Sequence, residues 1–146
     1  MQQMVHQDLL VGFPDGWLDV SNIILVGRPD QDYSPSITIT REPLPEPMKP
    51  DKYAATQLTA LQKELGPQGY RVSQEGPTTV GDLPAYQRFH TFAMPKSDVR
   101  VQQWQIYLTI DTTAIVLTMT DKAATFQKSY PVFNEALKQL KIVKKK

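Results

Sequence analysis

The sequence predicts an α+β domain: a curved, mainly antiparallel β-sheet with two helices packed on one of its faces. Three observations carry this expectation. Several segments rich in β-branched residues alternate side chains with a period of two, as sheet strands do. Two other segments place apolar residues at helical spacing. The order of segments is strands, helix, strands, helix, without the regular alternation that builds a parallel sheet.

Taken in order, Asp8 to Phe13 reads as a short strand, and Pro14-Asp15-Gly16 as a turn. Trp17 to Arg28 reads as the second strand of an opening hairpin, and Pro29 to Asp32 as a loop. Ser36-Ile37-Thr38-Ile39-Thr40-Arg41 is an alternating strand. Prolines at 43, 45, 47 and 50 then form a stiff connector. A helix follows Pro50, with Ala54, Leu58, Leu61 and Leu65 on one face and Gly66-Pro67 at its end. Tyr70 to Gln74, Ala85 to Ala93, Val99 to Ile110 and Ala114 to Thr120 read as four more strands, with Gly81 to Pro84 as a turn. Phe126, Tyr130, Phe133, Leu137 and Leu140 form a helical stripe. The helix is expected over 129–140, with Ser129 as its cap and Pro131 near its start.

The chain has 146 residues, which fits a single domain over 1–146. Sixteen Lys and Arg against 15 Asp and Glu give no basic surface of the kind that nucleic acid requires. The Lys144-Lys145-Lys146 tail reads as a solvated end. Without cysteine there is no disulfide, thiol nucleophile or lipobox anchor. Met1 to Asp8 lacks the basic-then-apolar pattern of a secretory signal, and the apolar run Ile23 to Val26 is far short of the roughly 20 residues of a membrane span. The expected location is the cytoplasm, with the chain not embedded in a membrane.

Neither histidine, His6 or His90, belongs to a spaced ligand set, so no metal or cofactor is expected. There is no GxSxG, GxGxxG or phosphate-cradling loop. The carboxylates Asp8, Asp15, Asp19 and Asp30 sit where turns use them. No catalytic residue is assigned; an enzyme would need an acid–base pair distant in sequence.

One face of the sheet is unusual. In Val99 to Ile110, Trp104, Ile106, Leu108 and Ile110 take the face assigned to the helices. Val99, Val101, Gln103, Gln105 and Tyr107 take the other. Asn22, Ile24 and Val26 share a side, as do Ser36, Thr38 and Thr40. A solvent face normally carries Lys, Glu and Arg; this one mixes aliphatics with amides and hydroxyls. It reads either as a moderately polar face, open or covered by a loop, or as a docking surface for another protein.

The stretch Phe13-Pro14-Asp15-Gly16-Trp17-Leu18-Asp19-Val20-Ser21 resembles the PDxWxDxS hairpin of the Eag-type chaperones of bacterial type VI secretion. Ser36 to Glu42 is similar to their third strand, and Tyr53, Gln57, Leu58 and Leu65 to their helix. That family shares its fold with PsbP-like and DcrB-like domains. The resemblance implies a non-catalytic, homodimeric chaperone. Its partners would be PAAR-containing effectors, whose N-terminal transmembrane helices it would shield before export. It further implies apolar client contacts at Ile24, Leu65 and Val99 and polar ones at Ser36, Gln57 and Gln103. Asn22 stands where an aliphatic residue would suit the groove better. Two other readings are a PsbP-like or DcrB-like accessory or small-ligand-binding domain, which would need an enclosed pocket, and an enzyme.

Overall fold

The computed structural model describes residues 1–29 and 33–143. The Asp30 to Asp32 part of the expected loop and the Lys144 to Lys146 tail therefore lie outside the described residues. The chain runs through β1 (Gln2–His6), β2 (Leu9–Phe13), β3 (Ile23–Val26), β4 (Ser36–Pro43) and α1 (Pro50–Leu65). It continues through β5 (Arg71–Val80), β6 (Leu83–Ala93), β7 (Arg100–Ile110), β8 (Thr113–Lys122) and α2 (Phe126–Gln139). Short 3-10 turns follow α1 and precede α2. β3 to β8 form one open antiparallel sheet in the order β3-β4-β8-β7-β6-β5, and β1 and β2 form a separate two-stranded sheet. The α+β class and the antiparallel sheet stand as expected.

The two-residue loops joining β1 to β2, β5 to β6 and β7 to β8 each begin with a positive φ, at Gln7, Gly81 and Asp111. That backbone sense matches the right-handed twist of the flanking strands. Leu83 and Pro84, expected in the second of these turns, already belong to β6.

The opening hairpin differs from expectation. β2 pairs with β1, whereas Trp17 to Asn22 is irregular. There Asp19 accepts a 2.9 Å hydrogen bond from the Ser21 amide, a local bond that competes with strand pairing. The second helix begins three residues earlier than expected, at Phe126. Ser129 does not cap it, because its hydroxyl donates to the buried Asp121 carboxylate at 2.6 Å. Pro131 lies inside the helix and removes one backbone bond. Phe126 and Phe133, both buried, fix the helix on either side of it.

The placement of the helices is the main correction. They cover opposite faces of the sheet. α2 packs Phe126 and Phe133 on Trp104, Ile106, Leu108, Leu117 and Met119. α1 packs Tyr53 and Ala54 on Tyr107 and Ala114, with Tyr86 and Val116 at the rim. The cause lies in β7, which buries side chains on both sides: Val101 and Tyr107 are as deeply buried as Trp104 and Ile106. A strand of that kind needs cover on both faces. Val101 and Tyr107 therefore belong to the core and not to an open surface.

Candidate functional site

Strand register identifies what shares the α1 face. One cross-strand row runs Val26, Ser36, Thr120, Gln103, His90 and Val72. The next runs Ile24, Thr38, Thr118, Gln105, Arg88 and Glu75. A third holds Thr40, Val116, Tyr107, Tyr86 and Pro77. α1 makes its main sheet contacts with β6 and β7. On the β3-β4-β8 side the face stays more open: Ile24 and Val26 are 67% and 66% exposed, and Ser36, Thr38 and Thr118 are half-buried.

Beneath this surface lies a polar interior organised around two buried groups. Arg88 is 1% exposed. Its guanidinium donates to the Ala54 carbonyl at 3.1 Å and the Tyr107 hydroxyl at 3.0 Å, and it stands 3.5 Å from the Glu75 carboxylate. Its Nε is buried and has no hydrogen-bond partner among the described residues. The Tyr107 hydroxyl donates a hydrogen bond to Gln105 Oε1, and the Gln105 amide donates to the Thr118 hydroxyl at 3.1 Å. A cation at the inner end polarises the chain so that each member donates outward. Burial holds the Tyr107 phenol near pKa 12 although Arg88 pulls it down, so it stays a proton donor at neutral pH.

The second chain starts at Tyr70. Its hydroxyl lies 2.9 Å from His90 Nδ1, and His90 Nε2 lies 2.7 Å from Gln103 Oε1. Gln103 Nε2 donates to Thr120 at 3.1 Å, which leaves its oxygen as the acceptor. His90 is thereby the neutral Nε2–H tautomer, with Nδ1 accepting from Tyr70. Burial lowers the His90 pKa; the Gln103 bond opposes this, and the Arg88 charge reinforces it. The folded state thus resists protonating a residue that the unfolded chain protonates near pH 6.5. The stability this contributes is present above about pH 6.5 and is lost as pH falls through that value towards the lower folded pKa. Urea midpoints should drop between pH 7 and 5.5, and His90→Gln should flatten that slope; an unchanged slope would contradict the assignment.

The structure brings most of the anticipated residues to one side. Ile24, Ser36 and Gln103 lie on the two rows above. Asn22 and Gln57, 35 positions apart in sequence, line one cleft of about 340 Å3 together with Thr40, Tyr53, Gln105 and Thr118. Gln103 spends its amide on His90 and Thr120, so the hydroxyl of Thr120 is the outer end of its chain. Val99 precedes β7, half-buried, and Leu65 ends α1, half-buried. Neither lines that cleft. Sequence reading left Thr118, Thr120 and the buried Arg88 out of the site. The signal available was the run Thr118-Met119-Thr120, hydroxyls alternating with a core methionine.

Among the described residues no group of three or more His, Asp or Glu is placed to hold a metal ion. No described helix is long and apolar enough to cross a membrane.

The fold and face define a DcrB-like α+β domain with an open antiparallel sheet. The chain belongs to the DcrB family, whose model matches residues 11–143. Its fold is similar to the crystal structure of PA94, a Pseudomonas aeruginosa protein of unknown function, with a TM-score of 0.82 and 17% identity over 99% of both chains. LpqN of Mycobacterium tuberculosis, involved in cell envelope biogenesis, has a TM-score of 0.46 and 16% identity over 91% of this chain and 86% of its own. No curated protein matches the sequence.

Proposed function

We propose that this chain is a non-catalytic chaperone that holds apolar helical segments of a client protein on the uncovered part of its α1 face. The observation that carries this reading is the pairing of Ile24 and Val26, two-thirds exposed, with the hydroxyl and amide rows behind them. Aliphatic side chains at the edge supply apolar contact, at roughly 25 cal/mol per Å2 of area removed from water. Thr38, Thr118, Ser36 and the amides of Asn22 and Gln57 meet occasional polar groups of the client without the desolvation cost of a charge. The sequence resemblance supplies the finer identity: the clients are N-terminal transmembrane segments of PAAR-containing type VI effectors, held in the cytoplasm until export. Membership of the DcrB family agrees with the fold this requires. Co-expression with effector N-termini, followed by purification of a one-client complex, tests it. Recovery of the chaperone alone with every such client would remove the reading.

The working form is a homodimer. β1 and β2 make an isolated hairpin, a unit with marginal stability in water on its own. Yet Val5, Leu9, Leu10, Trp17 and Leu18 in and after it are each more than 60% exposed. A second copy seated on the hairpin and its connector would take these apolar side chains out of water, the usual role of an exposed apolar patch. Light scattering should give twice the 16.6 kDa chain mass. Leu10→Asp with Leu18→Asp should give the single mass. A monomer for the unaltered chain at micromolar concentration would reject the dimer.

A further inference from the structure

A second cleft lies on the opposite face of the sheet, at the junction of β5, β6, β7 and the first turn of α2. It measures about 380 Å3 and is lined by Gln74, Gln87, Gln102 and Gln127, with Ser73 and the aromatic residues Phe89, Phe126 and Tyr130. Four carboxamides thus converge from four elements. The lining holds no Asp, Glu, Lys, Arg or His. The client reading uses none of these residues, and the inference does not rest on it.

The cleft is built, and not a by-product of loose packing. A β-bulge shifts the register of β5 between Val72 and Gln74, so that Ser73 is the extra residue, and its hydroxyl bonds the Phe89 carbonyl at 3.2 Å. Bulges re-aim side chains and interrupt the edge against strand addition. That argues against an extended peptide pairing with β5 here. Gln87 Oε1 accepts the indole N–H of Trp104 at 3.1 Å, which fixes that side chain and leaves its amide nitrogen for another acceptor. Phe89 and Tyr130 stack on Trp104, at 5.3 and 5.1 Å between centroids.

We propose that this cleft binds a neutral saccharide. With no charge in the lining, an ionic ligand would be desolvated without compensation. A carboxamide offers a donor and an acceptor side by side, the match for two vicinal hydroxyls, and a sugar ring displays such pairs around its rim. A planar nucleobase would instead need ring faces to stack on, and Phe89 and Tyr130 each already spend one face on Trp104. A volume in the lower part of the range for ligand pockets suits one or two sugar rings.

The test uses the whole chain and 15N-detected NMR titration with three soluble probes: N,N′-diacetylchitobiose, maltose and cellobiose. The Trp104 indole and the Gln87 amide give direct reporters, and the exposed Trp17 serves as an internal control. The expected result is a saturable shift of the Trp104 and Gln87 signals with at least one sugar, with Trp17 unmoved. Gln102→Leu with Gln127→Leu should weaken that binding at least ten-fold while the remaining spectrum is retained. No shift with any of the three up to tens of millimolar would overturn the proposal. So would shifts that the double variant does not weaken, or saturation by N-acetylglycinamide, a peptide-like amide, and by no sugar.

Discussion

Ile24→Asp will abolish capture of the client's apolar segment and leave the fold intact; the sequence resemblance extends the same expectation to Val99→Asp, just before β7. Ile24 is 67% exposed on an edge strand, so a carboxylate there remains hydrated in the free chain. Only when an apolar helix covers it does the charge lose water without gaining a partner. That costs about 2 kcal/mol or more, roughly a thirty-fold loss in Kd for each such site. The far-ultraviolet circular dichroism should be unchanged, and the melting temperature of Ile24→Asp should stay within a few degrees. Val99 is half-buried, so its variant carries a modest stability loss as well. Retained client in pull-downs with both variants would move the groove elsewhere.

Phe126→Ala will have the largest effect on stability. Its ring is 1% exposed, packs at 5.7 Å from Phe133 and meets Phe89 edge-on at 6.3 Å. Truncating a buried Phe costs about 3–5 kcal/mol, which for a chain of this size lowers Tm by roughly 10 °C. Val132, on the same helix but 67% exposed, is the control, with a change of less than about 0.5 kcal/mol for Val132→Ala. Equal losses at the two positions would contradict the way α2 seats on its face.

Much of the fold was legible because strand and helix periods are local. Ser36 to Arg41 alternates β-branched residues over its whole length, and Phe126, Tyr130 and Phe133 repeat at helical spacing, so β4 and α2 stand out. β1 did not, because Gln2-Gln3-Met4-Val5-His6 carries one β-branched residue and gains strand character by pairing with β2. The Pro14-Asp15-Gly16 turn is real in character, yet a turn signal cannot say which strands it joins.

The candidate face was half legible. Alternation sorts β7 into two sets of side chains, and the register confirms the sorting of Ile24, Ser36 and Gln103. It does not say which set is covered. Val101 and Tyr107 looked like surface residues beside Gln103 and Gln105, and only the seating of Tyr53 and Ala54 makes Tyr107 core. The convergence of Asn22 with Gln57 depends on where α1 crosses the sheet, which no local pattern encodes. Arg88 in the middle of a central strand gave a hint: an interior arginine needs partners, and it finds them in Tyr107, Ala54 and Glu75.

The most direct test of client binding on the α1 face is site-specific photocrosslinking with benzophenone at four positions. Positions 24 and 38 lie on the proposed surface; positions 25 and 132 lie on the opposite side. The chain would be co-expressed with an effector N-terminus and irradiated as the purified complex. Adducts mapping to the client's apolar helices from 24 and 38, with none from 25 and 132, is the predicted result. Adducts from 25 and 132 alone would contradict it, because the client would then sit on the α2 face.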